Sequence, residues 1–119
     1  MKLIPKLKTK LLSDLAQREW KVALYSDKVQ RAFYTTKGEV EGTGYKAGGK
    51  ACPERSVDDS DIYVDGSVVW DNASIEAVAA LIYDAKTGEG LFFEVFEQPI
   101  RSIRDEFRLD FPDVVFSMT

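Results

Sequence analysis

Histidine is absent from all 119 residues, and cysteine occurs once. Without histidine the chain lacks the commonest general base, the usual zinc ligand and any Ser-His or Cys-His nucleophile pair. A lone Cys52 cannot close an internal disulfide, and with nothing to activate it the thiol reads as buried or idle. Long apolar runs are missing from the basic start, where the longest are Leu3-Ile4 and Leu11-Leu12. A signal peptide needs a continuous apolar stretch of roughly 7–15 residues and a membrane span about 20. The expectation is a soluble protein made in a cytoplasm, with no membrane partner. The rest is ordinary for a globular chain: 45% hydrophobic, 30% charged, and long enough for one domain with a real core.

Charge is unevenly distributed. Residues 1–50 hold 11 Lys/Arg and 5 Asp/Glu, a balance of +6, whereas residues 51–119 hold 5 and 15, a balance of −10. Such a division suits docking between unlike surfaces, on copies of the chain or on another protein, although a solvated surface has the same composition. The acidic part would repel phosphates, and the four lysines of the first ten residues have no interleaved aromatics, so no nucleic-acid partner is expected.

Leu3, Leu7, Leu11 and Leu15 recur at a spacing of four, with Ile4 and Leu12 beside them, and Pro5 is acceptable in a first turn. This predicts an amphipathic helix over about residues 5–17. The period then changes to two. Trp20, Val22 and Leu24 alternate with Lys21, Ala23 and Tyr25 as a first strand, and residues 26–49 are rich in turn-forming glycine. Ile62 and Val64, then Val68 and Trp70, read as two strands joined at an Asp65-Gly66 hairpin turn. Residues 74–84 predict a central strand, ended by the Lys86-Thr87-Gly88 turn and partnered by residues 91–96. Phe107, Leu109 and Phe111 mark another strand, and residues 114–118 a last one. Six or seven short strands predict a mainly β protein: an antiparallel β-sandwich or barrel-like single domain (residues 19–119) prefaced by one N-terminal amphipathic helix (residues 1–18).

Several motifs approach a chemistry without reaching it. Residues 44–51 have the G-x-x-x-x-G-K spacing of a phosphate loop, but Ala51 replaces the magnesium-binding hydroxyl and Pro53 stops the helix that must follow. Gly42-x-Gly44-x-x-Ala47 is a loose dinucleotide fingerprint lacking the strand before it and the helix after it. Glycine that permits positive φ and close backbone approach is the simpler reading. Asp58, Asp59, Asp61 and Asp65 do not fit a calcium loop, because Tyr63 takes the third ligand position counted from Asp59. They read as a solvated turn, with a weak cation site across the turn as the lesser option. No metal, cofactor or catalytic constellation is expected, and the chain reads as a non-enzyme.

In order, the chain carries a short amphipathic start, a Val-Ala-Leu strand (Lys21–Tyr25) and a Glu-Val-x-Gly-x-Gly-Tyr-x-x-Gly-Gly loop (Glu39–Gly49). A Trp strand (Val68–Asp71) and an Ala-Leu-Ile-Tyr strand (Ala80–Asp84) follow. This order resembles a group of small tailed-bacteriophage virion proteins. The glycine loop is the specific part. The group's Asp-Phe-Gly-Gly turn is replaced here by Val95-Phe96-Glu97-Gln98-Pro99, and a common arginine by Val78. The resemblance implies a virion component present in many copies, whose partners are other virion proteins of the capsid, neck or tail. It implies no activity. Together with the charge division it points to a head-associated decoration or cement role, with a neck or tail position as the alternative. Leu3, Lys6, Leu7, Lys10, Leu11, Leu15 and Tyr45 are the candidate interaction residues, and self-association is expected. A receptor- or carbohydrate-binding module is a further reading; it calls for Trp20 or Trp70 exposed beside a carboxylate. A two-carboxylate hydrolase ranks last, since it needs two acids in one cleft about 5–9.5 Å apart.

Overall fold

A computed structural model describes residues 1–112 and 115–117. The protein is mainly β, with antiparallel sheets and one N-terminal helix, as the alternating pattern predicts. It divides into two compact units. One comprises Glu19–Cys52 and Val68–Leu109; the other comprises Met1–Arg18, Pro53–Ser67 and the described part of Asp110–Thr119. The helix thus shares its unit with the 53–67 segment.

The larger unit is built on a four-stranded sheet in the order β2-β1-β5-β6, with β1 Trp20–Tyr25, β2 Lys50–Ala51, β5 Ser67–Asp84 and β6 Gly90–Asp110. Strand β1 pairs antiparallel with the second half of β5, from Trp20 opposite Asp84 to Tyr25 opposite Ala79. Every residue of β1 except Lys21 is buried, as is every residue of β5 from Ala79 to Asp84. Both strands are therefore covered on both faces, which explains why residues 79–84 read as a nearly continuous apolar run instead of an alternation. Ala23, Tyr25, Ala79, Leu81 and Tyr83 form one core cluster, with Tyr34, Val78 and Phe93 packed against it.

Strands β5 and β6 are far longer than expected. The reading of separate short strands at 68–70 and 74–84, and again at 91–96 and 106–111, is corrected to one strand of 18 residues and one of 21. Between the short segments expected, each strand kinks and continues: Asn72 takes φ 48° and Arg104 φ 50°. The connection between β5 and β6 is the expected turn, closed by the Asp84 N–H on the Glu89 carbonyl at 2.8 Å.

In the smaller unit, β3 (Arg55–Asp58), β4 (Asp61–Val64) and β7 (Phe116–Ser117) form a three-stranded antiparallel sheet, with β4 in the middle. The expected hairpin at Asp65-Gly66 is not formed. Strand β4 pairs with β3 across Asp59-Ser60, and Asp65-Gly66 instead links β4 to β5 in the other sheet. Asp59 takes the left-handed φ of 56° that this turn needs, a conformation Asp tolerates better than most residues. Of the predicted last strand, Phe116 and Ser117 pair with Ile62 and Asp61, while Val114 and Met118 lie outside the described residues.

Helix α1 (Pro5–Ala16) starts at Pro5, but Ile4 supplies no side-chain cap and its first turn has no acid. Twelve residues with so little local support are marginal alone. Packing compensates: α1 lies against β3 and β4, and Leu12 is fully buried. Arg55 caps the other end, donating from Nε to the Ala16 carbonyl at 3.2 Å and from its guanidinium to the Arg18 carbonyl.

The glycine loop is fixed by close approach. Gly49 has φ +74°, and a Cβ there would stand 1.7 Å from the Val22 carbonyl oxygen of β1. Gly88 has a similar φ of +81° but open space around its Cβ position. Gly49→Ala is expected to destabilise by about 3 kcal/mol or more, and Gly88→Ala by about 1–2 kcal/mol. Urea denaturation of the two variants checks the contrast.

Candidate functional site

Within the larger unit the 38–52 segment runs back along β1. Ser26 N–H donates to the Gly38 carbonyl at 2.9 Å, Val40 N–H to Leu24 at 2.9 Å, and Cys52 N–H to Trp20 at 2.9 Å. Glu39, opposite Tyr25 in this run, is buried. A carboxylate can be buried only if its oxygens are hydrogen-bonded. Here the Tyr34 hydroxyl donates to Oε1 at 2.6 Å. The Tyr45 hydroxyl and the Gly48 N–H donate to Oε2 at 2.5 and 2.9 Å. These are short, charge-assisted bonds.

The donors are themselves held. The Tyr45 oxygen accepts the Leu24 N–H at 2.9 Å, and Tyr83 donates to the Gly48 carbonyl at 2.6 Å. The Tyr34 and Tyr83 rings stack with centroids 4.7 Å apart. Tyr25 donates to the Thr35 carbonyl at 2.7 Å, and the Arg31 guanidinium lies 3.7 Å over its ring. Arg31 also pairs with Asp27 at 2.9 Å. The Val29 N–H, and then Arg31, hold the Asp27 carboxyl below its ordinary value. Four of the five tyrosines thus gather around one carboxylate.

This geometry sets the electrostatics. Burial, and then the hydrogen bond to Glu39, push the Tyr34 and Tyr45 hydroxyls well above the usual tyrosine range. Burial and the Glu39 charge push Tyr83 up to about 12, and burial raises Tyr25. Ionising any of them would set a second negative charge near Glu39. The cluster therefore holds protonated tyrosines at neutral pH, with the Tyr34 and Tyr45 hydroxyls committed to Glu39 and that of Tyr83 to the Gly48 carbonyl. The depression beside it, lined by Thr36, Glu39, Val40, Gly42, Tyr45 and Ala47, encloses about 170 Å³. Small-molecule sites generally need about 300–1,000 Å³.

The predicted interaction residues fall into two groups. On α1, Leu7 and Leu11 are 45 and 42% exposed, with Lys6 and Lys10 also exposed, whereas Leu3, 43% exposed, lies ahead of the helix, before its cap residue Ile4. Leu15 is half-buried, toward the side on which Leu12 packs. Tyr45 belongs instead to the Glu39 network and stacks at a tilt on Trp70, with centroids 5.9 Å apart. The pattern singled out the glycine loop and Tyr45 but missed Glu39, Tyr34 and Tyr83. The available signal was slight: an acid next to Val40 in a segment otherwise suited to lie on a strand. Across the Asp58–Asp65 turn, Asp58 and Asp61 face each other in the β3–β4 ladder, and the Tyr63 hydroxyl donates to Asp61 at 3.3 Å. No group of three potential metal ligands gathers among the described residues. Among those residues, too, no helix is long and apolar enough to cross a membrane.

Comparison with protein-family models, curated proteins and solved structures finds no match for this chain.

Two outcomes follow from the network. Tyr45→Phe leaves Oε2 short of one donor and the Leu24 N–H without its acceptor, so it should destabilise by about 1.5–3 kcal/mol in urea unfolding. The tyrosines also predict alkaline sensitivity. Their folded pKa values lie above the unfolded value near 10, so the stability they contribute is complete below about pH 10. It declines as pH rises through about 12, the value for Tyr83. The melting temperature should fall over that window, and fall less steeply in Tyr34→Phe.

Proposed function

We propose that this protein is a structural component of a tailed-phage particle, acting by protein–protein assembly and not by catalysis. A head-associated decoration or cement role is favoured, with a neck or tail position as the alternative. The order of motifs from Lys21 to Asp84 suggests the particle. The observation that carries the mode of action is the exposed helix face. Leu7 and Leu11 present apolar side chains to solvent beside Lys6 and Lys10, with Leu3 exposed just ahead of the helix, although Leu12 already seats the helix on its own unit. A stripe of this form fits a groove with apolar walls and an acidic rim. The loop offers no competing chemistry, since Glu39 and its tyrosines bind one another. Repetition in a lattice lets many small contacts of this kind hold a copy in place.

The receptor- or carbohydrate-binding reading has less support. It requires an exposed indole beside a carboxylate, and Trp20 and Trp70 are only 2 and 1% exposed.

Mass spectrometry of purified particles should find the chain, and its absence there overturns the proposal. Leu7→Asp should leave the melting temperature nearly unchanged, because the side chain is exposed. Loss of one buried leucine from the contact should lower particle occupancy about tenfold or more. Unchanged occupancy would remove the helix face from the account.

A further inference from the structure

Strand β6 is an edge of its sheet. Among the described residues it has β5 on one side and, beyond the bridge between Phe33 and Glu89 at its start, no strand on the other. A long unpaired edge is a template for another strand unless the sequence blocks it. Residues 95–103 carry the pattern that matters. Val95, Glu97, Pro99, Arg101 and Ile103 are all exposed; of the residues between them, Phe96, Ile100 and Ser102 are half-buried or buried and only Gln98 is exposed. One outward face therefore reads Val-Glu-Pro-Arg-Ile.

That order is complementary to its own reverse. Running antiparallel to itself about Pro99, the strand brings Val95 opposite Ile103, Glu97 opposite Arg101 and Pro99 opposite Pro99. Each of the first two pairs occurs twice, by symmetry. Val95 and Ile103 are 41 and 63% exposed, two of the large apolar side chains that this unit leaves open to solvent. Neither Glu97 nor Arg101 has an ion-pair partner among the described residues. Shifting the register by one residue in either direction turns the outward faces out of alignment. Shifting it by two sets Glu97 against Pro99 or Pro99 against Arg101, which removes both ion pairs. Pro99 reinforces the choice. It has no N–H for a ladder and is tolerated on an edge. Placing it against itself confines that defect to the centre, while every other register spreads it over two positions.

We propose that two copies of this chain associate through β6 as a two-fold antiparallel pair centred on Pro99, with Glu97 of each copy against Arg101 of the other. The contact is isologous, the commonest form of protein self-association. It rests on β6 alone and not on the virion reading. It is tested with the purified chain in solution, so either can fail without the other.

Sedimentation equilibrium of the full chain should show a monomer–dimer equilibrium. Glu97→Arg places like charges opposite each other twice, and so does Arg101→Glu. Each should weaken dimerisation about tenfold or more. Mixed in equal amounts, the two variants should form a heterodimer, because the arginine introduced in one copy then meets the glutamate introduced in the other. The double variant E97R/R101E should regain wild-type association. Both substituted positions are exposed, and unchanged melting temperatures will confirm that the variants fold. Rescue on mixing is a second check, since a misfolded variant would not give it. A chain that stays monomeric at about 1 mM, or a dimer that ignores both single charge reversals, overturns the proposal.

Discussion

One buried carboxylate organises the larger unit. Glu39 cannot lie against β1 without donors for its oxygens, and the chain provides two tyrosine hydroxyls and one backbone N–H. Meeting that need fixes the rest of the loop. Tyr45 must turn in over Leu24, Gly48 must present its N–H, and Gly49 must pass so close to Val22 that no side chain fits. The stacked Tyr34 and Tyr83 then connect the loop to the core cluster of β1 and β5. A segment rich in glycine, which left to itself would be mobile, becomes part of the packed structure.

This constraint also bears on function. Glycine-rich loops often cradle phosphates, because their backbone N–H groups face a ligand. Here the Gly48 N–H faces Glu39, an anion belonging to the protein itself. Its negative charge and the lack of a following helix make the loop unfit for a nucleotide. What the protein offers outward lies elsewhere: a leucine line beside lysines on α1, and a self-complementary edge on β6. Both are surfaces that the proposed assembly role would use.

Much of the architecture was legible because it follows from local periodicity. The four-residue spacing of leucines located α1 within a residue of each end, and the alternation after Trp20 located β1. The turn at residues 86–88 marked the β5–β6 hairpin. The errors have two physical causes. Asn72 and Arg104 kink their strands without ending them, and a polar residue in a left-handed conformation looks the same in sequence whether the strand stops or continues. Asp65-Gly66 has the composition of a hairpin turn but joins strands of different sheets, because β4 finds partners in β3 and β7. The Glu39 site was legible only in part. Its glycines and Tyr45 stand together, but Tyr83 is 35 residues from the Gly48 it anchors, and pairing over that distance leaves no local pattern.

The central claim is that the glycine loop is a locked structural element. Native-state hydrogen exchange at the Gly48 and Leu24 amides tests it most directly, because these two N–H groups bond to Glu39 and to the Tyr45 hydroxyl. If the network holds the loop to β1, both amides exchange only through global unfolding, with the same protection as Val22 and Ala23 in the centre of the sheet. Exchange of Gly48 at the rate of an open loop, while the β1 amides remain protected, would contradict it.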